Sequence, residues 1–165
     1  MKYILTLLLI SIKINAMEID DAFLLKLAEI ESDVNDYAVG DRKIGVALGR
    51  YQIRRNAWND ACKRNNVDWK FNRKNAFNNV VAKVVVKWHL EWLAENIKAN
   101  GFQVTPLRLY MCYNMGLAKS KKLNFDPPNT KQIIRAKKIF NEPKIQSRPT
   151  TKFNTEYSLY DRNIC

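Results

Sequence analysis

The sequence predicts a mainly α domain with a small loop or β-hairpin. Apolar residues recur at helical spacing in several segments, and the longest segment runs from Asn75 to about Ala99. Residues 33–50 interrupt this pattern with a run of turn-forming glycine, aspartate and asparagine. The 165 residues include only five glycines and five prolines, which leaves little room for a linker. These observations favour one compact helical domain.

The start of the chain has the pattern of a secretory signal peptide. Lys2 is followed by an apolar run from Tyr3 to Ile12, and Ala16 supplies a small residue at the exit. The run is too short to span a bilayer. We therefore expect residues 1–16 to be removed, leaving a secreted or periplasmic protein that does not span the membrane. An uncleaved anchor or a buried first helix is the alternative.

The rest of the chain divides into a domain and a tail. Residues 17–142 carry the periodic segments and form the predicted domain. Residues 143–165 are polar, without periodicity, and we expect them to form an extended tail.

The first helix is predicted from Asp20 or Asp21 to about Ser32, with an aspartate as its cap. Its apolar positions place Glu31 on or beside the buried stripe, near the helix C-terminus. Burial and the negative end of the helix dipole both disfavour a charged carboxylate, so the pKa of Glu31 should be raised. Such a group suits a general acid at neutral pH. An ordinary helix-end glutamate in water is the alternative.

Further helices follow the loop. Ile44 to Leu48 could contribute a short strand, and a helix follows Gln52 to about Arg64 with Trp58 in the core. Gly101 should end the long helix. Thr105 and Pro106 should then open another helix, as N-cap and first helical residue. A last helix is predicted from about Thr130 to Phe140, after a Pro-Pro pair.

The cysteines and the single histidine indicate no metal or cofactor. No C-x-x-C motif is present, and His89 lies within the long helix, which favours a structural role. In an oxidising compartment two of the cysteines Cys62, Cys112 and Cys165 can pair. The favoured disulfide joins Cys62 and Cys112, because both lie within the domain. The alternative is that all three thiols are free.

The chain is strongly basic, with a formal net charge of +12. Lys2 and Lys13 contribute two of these charges, so the predicted mature chain carries +10. This charge favours anionic envelope polymers as partners. Nucleic acid is the competing polyanion and is not expected, and a composition without selective meaning is the alternative.

Three short motifs occur in order along the chain: Glu31-Ser32, Gly49-x-x-Gln52, and Tyr113-Asn114 followed by Gly116. Together they resemble the lytic transglycosylase (SLT domain) family and, more distantly, goose-type lysozyme. The likeness runs from about Ala22 to Gly116. It implies a lysozyme-like helical fold in which the loop forms one wall of a sugar-binding cleft.

The resemblance also implies roles for the motif residues. In that family the glutamate before the serine is the sole catalytic carboxylate, which here is Glu31. The substrate-binding residues would be Ser32, Gly49, Gln52, Tyr113 and Asn114, with the tyrosine hydroxyl contacting the acid. Cys112 and Met115 replace the small residues usual beside the third motif, which concerns packing rather than chemistry.

The implied reaction is cleavage of the β-1,4 bond between N-acetylmuramic acid and N-acetylglucosamine in peptidoglycan, with a 1,6-anhydro product. A hydrolytic lysozyme is the alternative, with Asp41 positioning water, because goose-type lysozyme has a similar Gly-Asp-Arg segment. Against this, Arg54 stands where that lysozyme has an aspartate. Asp41 as a plain turn residue is the other interpretation.

A different class of function also fits the charge. The chain could be a non-catalytic, basic cell-wall-binding or antimicrobial protein, whose binding would weaken with salt and survive the loss of Glu31. An enzyme serving a secretion or conjugation apparatus is a further alternative, which no sequence feature separates from general wall turnover.

Overall fold

A computed structural model describes residues 17–40 and 45–141. The helices and strands, in chain order, are α1 (Asp21–Ser32), β1 (Ala47–Leu48), β2 (Ile53–Arg54), α2 (Arg55–Arg64), α3 (Arg73–Ala76), α4 (Asn79–Ala99), α5 (Pro106–Met115), α6 (Leu117–Lys122) and α7 (Lys131–Asn141). The predicted mainly α architecture with a small β-hairpin is confirmed. The predicted signal segment, residues 1–16, and the predicted tail, residues 143–165, both lie outside the described residues.

The long helix α4 is the central element of the bundle. It packs against α2, α3 and α5, while α7 packs against α1 and α5. The core contains fully buried side chains from every one of the longer helices, among them Leu27, Trp58, Val85, Leu109 and Ala136. The apolar surface withdrawn from water around α4 holds the helices together.

Helix ends are set by capping residues that the sequence makes recognisable. The Asp20 side chain accepts a hydrogen bond from the Phe23 backbone N–H at 2.8 Å and begins α1. Thr105 caps α5 in the same way, and Pro106 occupies its first position. Both starts agree with the sequence prediction.

The start of α4 differs from the sequence prediction. Asn78 caps the helix by accepting hydrogen bonds from the Val80 and Val81 backbone N–H groups. Asn72 caps the separate short helix α3, which occupies residues 73–76. Two asparagine caps therefore divide the segment that apolar periodicity alone makes continuous. The short, lysine-rich helix α6 is absent from the sequence prediction because it has too few apolar positions to show a period.

The β-hairpin is small and is extended by one bridge. Ala47 pairs with Arg54 and Leu48 with Ile53 in antiparallel register, and Val39 bridges to Leu48 from the other side. A strand beginning at Ile44 cannot be compared, since residues 41–44 are not described. The hairpin joins the loop to the start of α2.

Gly49 lets this hairpin approach the helices closely. Its φ is +73°, and a Cβ atom there would overlap the backbone carbonyl oxygen of Ala76 at the end of α3. A left-handed conformation and the lack of space both require glycine at this position.

Gly49→Ala is therefore expected to lower the free energy of unfolding by about 3 kcal/mol, from backbone strain plus overpacking. Chemical denaturation measures this loss. The matched control is Gly101→Ala, which has φ +81° but open space around the added Cβ. That variant should lose about 1 kcal/mol from strain alone. Equal losses in the two variants would contradict the close approach of Gly49 to Ala76.

Candidate active site

A cleft of about 400 Å³ opens beside the end of α1. Its walls come from α1, the β-hairpin, the start of α2, the middle of α4 and the end of α5. Four of the six predicted site residues line it: Glu31, Gln52, Tyr113 and Asn114. The structure thus brings together residues from all three motifs.

Glu31 lies one residue before the end of α1, with its carboxyl largely withdrawn from water. Burial is the largest influence and raises the pKa of Glu31 from its ordinary 4.5 to about 7. Hydrogen bonding by the Tyr110 and Asn114 side chains lowers this pKa, as do the charges of Arg54 and Arg135. Its Oε1 atom has no hydrogen-bond partner in the described part of the chain. At neutral pH roughly half of the molecules therefore carry a protonated acid.

No described carboxylate is among the groups that most influence the pKa of Glu31. Asp60 also lines the cleft, but its charge acts on Arg64 and His89. Asp41, the candidate for positioning water, lies in the segment 41–44 outside the described residues. Within the described ranges, the acid therefore stands without a carboxylate partner.

The tyrosine that hydrogen-bonds to the acid is Tyr110, whereas Tyr113 lines the cleft near Glu31, and burial together with the Glu31 charge raises the Tyr113 pKa. Tyr110 and Asn114 are four residues apart on α5 and lie on the same face of that helix, so both reach Glu31. The Tyr113 hydroxyl instead donates a hydrogen bond to the backbone carbonyl of Tyr51 at 2.6 Å. The expectation that the Tyr113 hydroxyl contacts the acid is therefore corrected. Burial and the neighbouring Glu31 raise the pKa of Tyr110, so its hydroxyl keeps its proton.

Ser32 anchors the loop and does not line the cleft. Its hydroxyl donates to the backbone carbonyl of Arg50 at 2.7 Å and accepts a hydrogen bond from the Asn35 backbone N–H at 3.1 Å. Both contacts tie the end of α1 to the segment that follows. These bonds hold the chain next to Glu31, and the predicted contact of Ser32 with sugar stays a prediction.

Gln52 lines the cleft but already uses its side-chain donor group. Its Nε2 donates to the backbone carbonyls of Gly49 at 2.8 Å and Ala38 at 3.2 Å. Its Oε1 lies so close to Gly40 that a Cβ atom there would be 2.5 Å away. Gln52 therefore holds the loop wall together, and Gly49 packs against α3 without reaching the cleft.

His89 forms part of the cleft wall. Its ring stacks on Trp92 with centroids 5.8 Å apart and meets the Tyr113 ring edge-on at 5.9 Å. Burial lowers the pKa of His89 to about 4, so the imidazole is neutral at pH 7. A neutral ring packed between two aromatic side chains fits the structural role predicted for it.

The favoured disulfide is absent, since Cys62 and Cys112 are both buried free thiols. The Cys62 thiol donates a weak hydrogen bond to the backbone carbonyl of Trp69, and Cys112 interacts with the Ser120 side chain. Each thiol thus has its own polar neighbour outside its own helix, which corrects the predicted pairing. Cys165 lies outside the described residues. In residues 17–40 and 45–141 no group of three His, Cys, Asp or Glu side chains could hold a metal ion.

Sequence reasoning missed three residues that act on the acid, namely Tyr110, Arg54 and Arg135. Tyr110 carried a usable signal, because it lies four residues before Asn114 on the same helical face. The sequence signal for Arg54 was weaker and consisted of its position two residues after Gln52. Which side chains of α5 reach Glu31 depends on how that helix is rotated against its neighbours.

A helical domain whose cleft holds a buried carboxyl with a raised pKa fits a lysozyme-like, glycan-cleaving class of protein. The profile of the Transglycosylase SLT domain family matches residues 9–134, which include all three motifs. The chain belongs to this family, a family of lytic transglycosylase-type enzymes that act on peptidoglycan. Comparison with curated proteins gave no match, and comparison with solved structures gave none either. Across the described residues no helix has both the length and the apolar character needed to cross a membrane.

The raised pKa of Glu31 predicts a stability difference that depends on pH. The folded state keeps the proton up to about pH 7, whereas the unfolded chain loses it near pH 4.5. Stability therefore falls as pH rises between these values and then levels off. Glu31→Gln removes this titration. The free energy of unfolding of the variant, relative to that of the parent protein, should therefore increase by about 3 kcal/mol from pH 4 to pH 8. Urea denaturation across this range measures it, and a difference that stays constant with pH would contradict the burial of the carboxyl.

Proposed function

We propose that this protein is a lytic transglycosylase that cleaves the N-acetylmuramic acid–N-acetylglucosamine bond with Glu31 as its single acid and base. The observation that carries the proposal is the buried Glu31 carboxyl, protonated near neutral pH and without a described carboxylate beside it. Family membership supplies peptidoglycan as the substrate class. The predicted signal segment 1–16 agrees with an envelope location, which is part of the proposal.

In the first step, the protonated Glu31 donates its proton to the glycosidic O4 as the bond between C1 and O4 breaks. The N-acetylglucosamine chain leaves with a hydroxyl group, and positive charge develops at C1 of the muramyl ring. Tyr110 and Asn114, which favour the carboxylate form of Glu31 through hydrogen bonding, stabilise the anion left behind.

In the second step, the Glu31 carboxylate accepts the proton of the muramyl C6 hydroxyl, and O6 bonds to C1. The product is a 1,6-anhydro sugar, and Glu31 returns to its protonated form. The nucleophile belongs to the substrate, so no second protein carboxylate is required.

Muropeptides released from purified peptidoglycan test the reaction type. The protein is expected to release products one water lighter than the corresponding reducing sugars, and mass spectrometry distinguishes the two. Glu31→Gln should release none while keeping its circular dichroism spectrum and a cooperative thermal transition. The matched control Glu29→Gln changes a glutamate of the same helix that does not line the cleft, and it should keep its activity.

Three results would contradict parts of this proposal. Reducing ends would identify a hydrolase and direct attention to Asp41. Activity retained by pure, folded Glu31→Gln would remove Glu31 from its role. Binding to the wall without Glu31-dependent release would favour a basic wall-binding protein.

The same residue predicts how the rate depends on pH. Because the proton donor must be protonated in the free enzyme, kcat/KM should decline as pH rises through about 7. Each further pH unit should reduce kcat/KM about tenfold. Initial rates on a soluble muropeptide from pH 5 to 9 measure this limb. A profile that stays flat to pH 9 would show that protonated Glu31 is not needed.

A further inference from the structure

Arg54 is the single lysine or arginine among the described residues that line the cleft. Its side chain is exposed, and within the described ranges it forms no ion pair. The four ion pairs that the structure does contain use other cations: Arg50, Lys70, Lys83 and Arg135. A permanent positive charge therefore faces the cleft beside the acid, and none of the described ion pairs neutralises it.

The position of Arg54 is unfavourable for the fold. It is the N-cap residue of α2 and makes no capping hydrogen bond with its side chain. The first turn of α2 has no acidic residue, and Arg55 adds a second cation there. The positive end of a helix dipole disfavours cations, and serine, threonine, asparagine or aspartate would cap the helix better. Helix stability thus gives no reason for an arginine at this position.

Arg54 also opposes the protonation of the acid. Its charge lowers the pKa of Glu31, while proton donation needs that pKa to be high. An anion bound to the guanidinium would neutralise this charge and remove the opposition. Arg54 is therefore unfavourable in the empty cleft in two ways, at the N-terminus of α2 and through the pKa of Glu31. An anion bound to its guanidinium would offset both effects.

We propose that Arg54 binds a carboxylate of the muramyl part of the substrate and makes the cleft selective for anionic glycan strands over neutral ones. The inference rests on the proposed function for its substrate class. A guanidinium can donate two parallel hydrogen bonds to one carboxylate. In peptidoglycan that group is either the lactyl acid of a strand without peptides or a free carboxyl of a stem peptide.

The test measures binding, so it does not depend on the reaction. In a Glu31→Gln background, calorimetry compares Arg54→Ser with the parent for four ligands. These are a neutral N-acetylglucosamine oligomer, a muramyl oligomer with free lactyl acids, the same oligomer carrying stem peptides, and one whose stem carboxyls are amidated. The matched control is Arg55→Ser, an exposed arginine one residue later that does not line the cleft and lies over the Phe71 ring.

Arg54→Ser is expected to weaken binding of a carboxylate-bearing ligand about tenfold or more, the usual range for a hydrogen bond to a charged group. Binding of the neutral oligomer should not change, and Arg55→Ser should leave all four affinities unchanged. The loss should shrink in high salt. A loss confined to free lactyl ligands identifies the lactyl acid, and a loss that disappears on amidation identifies the stem peptide.

Thermal unfolding separates this role from a structural one. Arg54→Ser introduces a capping residue and removes a cation from the helix N-terminus, so Tm should rise by a few degrees. An unchanged ratio of anionic to neutral affinity, or an equal loss for both, would overturn the inference. Anhydro products from the parent protein would uphold the proposed function in either case, whereas reducing ends would overturn that function and leave the binding result intact.

Discussion

The burial of one carboxyl at the end of a helix is the constraint on which this site depends. Glu31 stands where both desolvation and the helix dipole oppose its charge. The helix end itself is stabilised from outside, because Arg135 of α7 donates to the Glu29 backbone carbonyl at 2.8 Å and pairs with Asp33. The packing of α7 on α1 therefore supports the segment that carries the acid. The same packing places the Arg135 charge where it lowers the pKa of Glu31.

The chemistry of the acid comes from a balance of opposing effects. Burial alone would raise its pKa further, while Tyr110, Asn114 and Arg54 bring it back to about 7. In the proposed reaction, a group with a much higher pKa would donate its proton poorly in the first step, and one near 4.5 would be mostly deprotonated at neutral pH and a weaker base in the second. The aromatic side chains beside the acid are held by packing, since the Tyr110 ring meets Phe140 of α7 edge-on at 6.3 Å. Tyr110 therefore takes part both in the packing of α5 on α7 and in setting the pKa of Glu31.

The sequence revealed the parts of this structure that depend on local chemistry. Capping by Asp20 and by Thr105 with Pro106 is a property of a few neighbouring residues, so these helix starts could be predicted. Glu31 drew attention because its position on the apolar face conflicts with its charge, and the resemblance to the transglycosylase family then favoured it over an ordinary helix-end glutamate. The hydrogen bond between Glu31 and Tyr110 could not be predicted, because the sequence does not fix how α5 is rotated about its axis relative to α4 and α1.

The remaining features have the same physical origin. Ser32 and Gly49 belong to motifs for which contact with sugar stays a prediction, and the contacts that the structure shows for them are with the backbones of Arg50 and Ala76, which are distant in sequence. Cys62 and Cys112 share a domain, but pairing requires two facing side chains, and the structure gives each another neighbour. Long-range geometry of this kind cannot be derived from spacing along the chain.

The way the loop wall is closed at its base suggests a modular element. The Gly40 backbone N–H donates to the Ala47 carbonyl at 2.9 Å, and the Gly49 N–H donates to the Ala38 carbonyl at 2.9 Å. The Gln52 side-chain amide, which lines the cleft, donates to the Ala38 and Gly49 carbonyls and so joins the same two segments. With these bonds in place, a change in the length of the chain between Gly40 and Ala47 should carry only a small entropic cost. Such a change would leave the hydrogen bonds at the base, and the acid with its neighbours, as they are.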